Sequence, residues 1–153
     1  MCIRDSSYRA TELEAAIGLA QLANKNEIVK KRQKNAKYLI DGLKDLEKYF
    51  QLPQIRPETE HIFMLFPILI SHPKISRDEM VLFLEEHLIE TRYLMPLLNQ
   101  PIYREIFGDI EKKYPVASYI NKNGFIIGCH QELSERDLDY VIWVFHKFFK
   151  KRK

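Results

Sequence analysis

The stretch from Thr11 to Leu22 constrains the fold more than any other part of the chain. Thr11-Glu12-Leu13-Glu14 has the order of a capping box, in which a threonine hydroxyl and a glutamate carboxylate satisfy the free backbone donors at a helix start. A helix is therefore predicted to begin here. Residues 15–22 are mostly small and apolar on nearly every side, and such a helix needs burial on several faces. One small domain offers too little surface for that, so the helix predicts further structure around it.

Composition and charge narrow the class of protein. The chain has 153 residues, 46% of them hydrophobic and 29% charged, as expected for a compact domain with its own core. The net charge of +3 is small and partly carried by the C-terminal end, which argues against a nucleic-acid-binding surface. No run approaches the roughly 18 apolar residues of a membrane span. Cys2 and Cys129 are too few for a disulfide framework or a cysteine-based zinc site, so we expect a reducing cytoplasm.

The first residues do not fit the rest of the chain. Met1-Cys2-Ile3-Arg4-Asp5-Ser6 has no periodicity and resembles the translation of an adapter used in sequencing libraries. We expect residues 1–6 to be non-native and exclude them from fold reasoning. The native chain would then be cut near Ser7. An irregular but natural N-terminus is the alternative.

Beyond Leu22 the helical pattern becomes one-sided, with a bend expected near Asn24 and Asn26 and an end before Pro53. Its apolar stripe consists of Ala36, Leu39, Leu43 and Leu46. Ser76 is predicted to cap another helix. The inward side chains predicted for that helix are Met80, Phe83, Leu84 and Leu88.

Three apolar runs predict strands. Residues 61–70 form a long β-favouring run that predicts a strand buried on both faces, in which Pro67 argues for an edge position or a bulge. Shorter strands are predicted over 89–94 and 125–129. Short helices over 102–107 and 115–121 separate these two. A final helix, capped by Ser134 and Asp137, completes an α+β order. Its predicted inward side chains are Leu138, Val141, Ile142, Phe145 and Phe149.

No self-contained active site is evident, since the sequence has no glycine-rich phosphate loop, metalloprotease helix or nucleophile elbow. We predict neither a catalytic residue nor a metal site. Glu85, Glu86 and His87 are expected on a solvated helix face. Cys129-His130 follows a predicted buried strand, but without partners elsewhere it forms neither a metal site nor a dyad, so local packing is favoured.

The segment from Arg92 to Pro101 places a cation, a phenol and two amides on irregular backbone. This composition is typical of a recognition loop, although a connector made rigid by proline explains it equally well.

Ordered motifs extend along the chain. The longest is Ser7-Tyr8-Arg9-Ala10-Thr11-Glu12-Leu13-Glu14-Ala15-Ala16-Ile17-Gly18-Leu19-Ala20-Gln21-Leu22. It is followed by Ile89-Glu90-Thr91-Arg92, Asn99-Gln100-Pro101-Ile102-Tyr103, Tyr114-Pro115-Val116-Ala117 and Gly124-Phe125-Ile126-Ile127-Gly128-Cys129-His130. In order and spacing they resemble the C-terminal part of the DegT/DnrJ/StrS family of sugar aminotransferases. The signature of that family reads Asn-Tyr-Arg-Met-x-Glu-x-x-Ala-Ala-x-Gly-x-x-Gln-Leu.

The resemblance implies the small C-terminal domain of an aspartate-aminotransferase-like fold, with a long N-terminal helix and a small, mostly antiparallel sheet covered by helices. Residues 7–50 would then link to a missing large domain, and residues 51–153 would form the small domain. Pyridoxal 5'-phosphate is the implied cofactor, bound through a lysine of the large domain. Because that lysine would lie upstream of Ser7, we expect the chain alone to be inactive.

The family transfers an amino group, usually from glutamate, to a keto sugar carried on a nucleoside diphosphate, for polysaccharide or antigen sugars. It acts as a homodimer in which this part reaches the neighbouring subunit's site. The resemblance makes Ser7 and Arg9 candidates for the cofactor phosphate. It makes Arg92, Tyr93, Asn99 and Gln100 candidates for substrate binding, while Leu98 stands where many members have histidine.

Two alternatives to the aminotransferase remain. A dehydrase of the same family uses the aminated cofactor to remove a sugar hydroxyl. From a different class, a non-enzymatic module would use the helices and the small sheet to bind a protein partner.

Overall fold

A computed structural model describes residues 11–94 and 100–150 of the chain. Within these ranges the chain forms six α-helices and a four-stranded sheet, which confirms the predicted α+β class. The predicted site residues Ser7, Arg9 and Asn99, and also Leu98, lie outside the described residues.

The elements follow one another in the predicted order, except that the short strand β1 was not predicted. The helices are α1 (Glu12–Ala23), α2 (Lys25–Leu43), α3 (Arg77–Glu86), α4 (Pro101–Phe107), α5 (Pro115–Asn123) and α6 (Glu135–Lys150). The strands are β1 (Phe50–Gln51), β2 (Phe66–Ile70), β3 (Thr91–Tyr93) and β4 (Gly124–Ile127). Short 3-10 turns occupy Lys44–Leu46 and Glu111–Lys113.

The predicted capping box at the start of α1 is present. The Glu14 amide donates to the Thr11 hydroxyl at 3.2 Å, and the Thr11 amide donates to the Glu14 carboxylate at 2.7 Å. The expected bend is also confirmed, because α1 ends at Ala23 and α2 begins at Lys25, with Asn24 between them at φ −97° and ψ 5°. No residue of α1 is buried, so the described part of the chain leaves this helix uncovered.

The sheet has the strand order β1-β2-β4-β3, and every pairing is antiparallel. Phe66 lies opposite Ile127 and Ile68 opposite Phe125, so these four side chains share one face, which we call the core face. They join the buried stripe of α2, Met80 and Leu84 of α3, and the apolar side of α6 in a single core. The predicted division between residues 7–50 and 51–153 stays a prediction, although α2 shares this core with the sheet.

The strand predicted over 61–70 is wrong in its first half. Only Phe66–Ile70 is extended, with alternating buried and half-buried side chains rather than burial on both faces. Before it, Phe63 has a φ of 54°, and its amide donates to Nδ1 of His61 at 2.9 Å. A local turn therefore replaces the strand. β2 lies between β1 and β4, but β1 pairs only with Leu69 and Ile70, so Pro67 has a strand partner on the β4 side alone and occupies a local edge, as predicted.

The inward position predicted for Leu88 is wrong as well. Met80 and Leu84 are buried as expected, but α3 ends at Glu86 and Leu88 is 93% exposed, with a φ of 60°. Because the helix ends before Leu88, helical periodicity does not determine the position of this side chain.

Candidate functional site

The segment predicted to recognise substrate lies between the end of β3 and the start of α4, and its residues 95–99 lie outside the described residues. Gln100 caps α4, because its carbonyl accepts from the amides of Tyr103 and Arg104, each at 3.0 Å. Pro101 follows at the first helical position, where its missing amide costs nothing. The backbone of Gln100 thus fixes the C-terminal end of this segment.

The two candidates on β3 point to opposite faces of the sheet. Tyr93 lies opposite Phe125 and belongs to the core face, whereas Arg92 lies opposite Ile126 on the other face. We call this second face the open face, because its β2 and β4 side chains, including Pro67, Leu69 and Ile126, are only half-buried. The structure therefore does not bring Arg92 and Tyr93 to one surface.

Arg92 is an accessible cation on the open face. Its side chain is 75% exposed and donates to the Glu90 carboxylate, with the shorter contact at 2.9 Å. Beside it lies a cavity of about 220 Å³, lined by the apolar side chains of Met64, Leu65 and Ile126 and also by Glu90. A planar guanidinium suits a phosphate, which would have to replace the Glu90 carboxylate as the partner of Arg92.

Tyr93 is held from the core face by Arg77, a residue that the sequence analysis did not identify. The Arg77 guanidinium lies 4.1 Å from the Tyr93 ring centroid, and its side chain is only 15% exposed. It also donates to the carbonyl of Asn121 in α5 and contacts the Asp78 carboxylate at 2.8 Å. An arginine in the first turn of a capped helix is expected to be exposed to solvent, so the sequence gives no indication of the contact between Arg77 and Tyr93.

Glu85 holds the other end of β3. Its carboxylate accepts from the amide and the hydroxyl of Thr91, both at 2.7 Å. These two hydrogen bonds lower the pKa of the Glu85 carboxyl, and the bond from the Thr91 hydroxyl has the larger effect. Glu85 and Glu86 are exposed as expected. Glu85 is nevertheless not free in solvent, because it binds Thr91 of β3. His87 is half-buried, with Nδ1 at 2.7 Å from the Phe83 carbonyl.

A glycine allows the segment to leave the sheet close to α5. A Cβ atom at Gly124 would lie 2.6 Å from Cδ1 of Leu94 and 2.6 Å from the carbonyl oxygen of Ile120. Only glycine permits this approach, which places Leu94 on the open face directly after Tyr93.

Cys129 is packed in the way that the sequence analysis favoured. The thiol is 1% exposed and lies 3.6 Å from the Arg32 carbonyl. Burial raises the pKa of Cys129 to about 11, so the thiol is protonated near neutral pH. The Arg32 guanidinium in turn donates to the carbonyls of Phe63, Met64 and Cys129. Within residues 11–94 and 100–150, no group of His, Cys, Asp or Glu side chains has the arrangement of a metal site.

The described residues do not by themselves form a site for pyridoxal 5'-phosphate. The start of α1 is the part nearest to the predicted phosphate contacts, but there the Glu14 carboxylate already accepts from the Thr11 amide and hydroxyl. Glu12 adds a second negative charge to the same helical turn, which disfavours a phosphate.

No helix in the described ranges combines the length and the apolar character needed to cross a bilayer.

Comparison with known proteins identifies relatives across nearly the whole chain. Residues 4–146 match the sequence model of the DegT/DnrJ/EryC1/StrS aminotransferase family. The lipopolysaccharide biosynthesis protein RfbH of Salmonella typhimurium is 32% identical over 94% of this chain and 33% of its own length.

Solved structures show the same fold. Helicobacter pylori PseC, an aminotransferase involved in pseudoaminic acid biosynthesis, superposes with a TM-score of 0.82 at 21% identity, covering 94% of this chain and 38% of its own. A GDP-4-keto-6-deoxymannose-3-dehydratase with a trapped PLP-glutamate geminal diamine gives 0.72 at 27% identity, covering 89% and 36%. The chain thus has the fold of a part of the aspartate-aminotransferase-like sugar aminotransferases and spans about a third of the length of these relatives.

Proposed function

Because the chain belongs to the DegT/DnrJ/EryC1/StrS aminotransferase family, we propose that it is the C-terminal part of an enzyme that transfers the amino group of glutamate to a keto sugar carried on a nucleoside diphosphate. The observation that carries the proposal is the family match, which runs through the α1 signature and the whole sheet. Pyridoxal phosphate is the cofactor expected for the family, and it supplies the electron sink for amino transfer.

The uncovered α1 supports a larger parent protein. Leu13, Ile17, Leu19 and Leu22 are 57–72% exposed, which is unusual for four apolar side chains on one short helix. In the parent, a homodimer in the cytoplasm, α1 would lie against the large domain and the neighbouring subunit. This arrangement brings Ser7 and Arg9 to the phosphate of the neighbour's cofactor.

The described residues contribute to substrate binding through the open face. Arg92 binds the diphosphate of the nucleotide sugar, and the adjacent cavity receives a less polar part of that ligand. Asn99 and Gln100 donate hydrogen bonds from the segment that follows. The Schiff-base lysine expected from the resemblance would lie upstream of Ser7, so we expect the chain to be inactive by itself.

A dehydratase acting on a nucleotide sugar is the second candidate. The 27% identical structure with the PLP-glutamate adduct is a dehydratase, which favours this reading. Both candidates need glutamate, but the resemblance implies that a dehydrase has histidine in place of the lysine that forms the Schiff base.

A cofactor titration tests the proposal. The full-length protein and the present chain are each mixed with pyridoxal 5'-phosphate, and the absorbance of the cofactor–lysine Schiff base is followed before and after glutamate is added. We expect the full-length protein to turn yellow and to bleach with glutamate, while the chain does neither. Turnover by the chain alone would contradict its predicted inactivity.

The remaining outcomes separate the candidates. Binding of the cofactor by the full-length protein without a lysine Schiff base favours the dehydratase. If the full-length protein binds no cofactor, the enzyme proposal is wrong, and the result favours a non-enzymatic interaction module. Free cofactor mixed with an unrelated lysine-rich protein controls for adducts with surface lysines.

A further inference from the structure

The short strand β3 depends on α3 for its position. It has three residues, lies at the edge of the sheet and pairs only with β4. A strand of this kind is weakly held by its own hydrogen bonds. Glu85, near the C-terminal end of α3, binds Thr91, and Arg77, at the other end of the same helix, stacks on Tyr93. The contacts of Glu85 and Arg77 thus hold the two residues on either side of Arg92.

Each contact is supported by more than one interaction. The Glu85 carboxylate makes two hydrogen bonds of 2.7 Å to one residue. The Arg77 guanidinium is 15% exposed and also donates to the Asn121 carbonyl, which ties it to the end of α5, directly before β4. Desolvation strengthens the attraction between the guanidinium and the Tyr93 ring. On the open face, Leu94 packs over Gly124, so the chain is also held just after Tyr93.

We propose that Arg77 is a positioning residue for nucleotide-sugar binding, and that it acts through Tyr93 to aim the guanidinium of Arg92 at the substrate from the open face. The inference rests on the proposed function. Successive side chains of a strand point in opposite directions, so a ring fixed on the core face fixes the direction of the preceding side chain. Tyr93 then serves as the anchor, and Arg92 makes the contact with the diphosphate.

The test uses the full-length protein loaded with cofactor, and UDP, GDP, CDP and dTDP as probes of the diphosphate site. Calorimetry gives the Kd of the probe that binds tightest, and the bleaching rate with glutamate reports the half-reaction that needs no sugar. Arg77→Met is expected to raise the probe Kd about tenfold. The bleaching rate should stay within about twofold of the parent.

Asp78→Ala is the matched control, because Asp78 contacts the same guanidinium but is exposed, and it should leave the Kd unchanged. Tyr93→Leu should raise the Kd about as much as Arg77→Met, and the double variant should be no weaker than either single one. Arg77→Lys, which keeps the charge, should recover part of the loss. Additive effects of Arg77→Met and Tyr93→Leu would overturn the inference, as would an unchanged Kd in Arg77→Met.

A second variant covers the case in which Arg77→Met does not fold, which a thermal melt would reveal. Glu85→Ala alters only an exposed side chain of α3 but releases Thr91 at the other end of β3. It should raise the probe Kd about threefold with the same unchanged bleaching rate. An unchanged Kd there counts against the inference. If the unsubstituted full-length protein bleaches with glutamate but binds none of the probes, the inference is wrong while the cofactor chemistry stands. If it neither bleaches nor binds a probe, the proposed function is wrong as well.

Discussion

Leu88 follows the C-terminal cap of α3 and has a left-handed backbone, with a φ of 60°. The Leu88 amide donates to the Glu85 carbonyl at 2.9 Å, and the Ile89 amide donates to the Leu84 carbonyl at 3.0 Å. These two bonds define a Schellman motif, which usually has glycine at the left-handed position. Ile89 and Leu84, the positions whose apolar contact usually accompanies the motif, are both buried. The backbone at Leu88 therefore forms the hydrogen bonds of the motif, but its side chain is unfavourable at the left-handed position.

We expect Leu88→Gly to raise the free energy of unfolding of the chain by about 0.5 to 1 kcal/mol. The side chain is 93% exposed, so its removal loses little burial while the backbone strain is relieved. The midpoint of urea unfolding measures the change. Leu88→Ala is the matched control, since it shortens the side chain but keeps the strain, and it should stay within about 0.5 kcal/mol of the parent. An equal gain in both variants would show that the exposed leucine, not the φ angle, was the cause.

Single residues were predictable from sequence wherever their role is local. Thr11 and Ser134 cap helices as expected, because a cap depends on a residue three positions away. Arg77 was not predictable, because Tyr93 and Asn121 reach it only through the fold. For the same reason the candidate site was predicted as a set of residues, without the division of Arg92 and Tyr93 between two faces.

At the scale of elements, amphipathic helices were predicted well and the long apolar run was not. The stripe of α2 and the inner side of α6 lie in the core, because helical periodicity specifies which side chains are covered together. The run 61–70 has the hydropathy of a buried strand, but its first half forms a turn. Arg32 donates to the carbonyls of Phe63 and Met64 there, and a long-range contact of this kind leaves no periodic signal.

The apolar surface of α1 is expected to make the isolated chain self-associate. The triple variant Leu13→Gln, Ile17→Gln and Leu19→Gln should weaken association at least about tenfold. It should change the free energy of unfolding by less than about 1 kcal/mol, because none of the three is buried and glutamine favours helix. Sedimentation velocity at several concentrations measures the first effect and urea unfolding the second. Leu82→Gln, a change at a 62% exposed leucine of α3, is the control and should leave association unchanged.

The same experiment separates α1 from the rest of the surface. Association that persists undiminished in the triple variant would place the contact elsewhere on the chain. A large loss of stability would show that α1 packs on the core more tightly than its exposure indicates.

For the whole molecule, the decisive contrast is between the covered core and the uncovered α1. A 12-residue helix is marginally stable in water without tertiary contacts, even with a good N-cap. Hydrogen exchange, measured at a concentration low enough to keep the isolated chain monomeric, should therefore show α1 amides that exchange almost freely, beside slow amides in the buried part of α6. In the full-length protein, packing of α1 should slow its amides at least about a hundredfold, while the α6 amides change little. Equally fast exchange of α1 in both proteins would mean that the helix is not an interface, and the apolar signature at Ala15–Leu22 would then need another explanation.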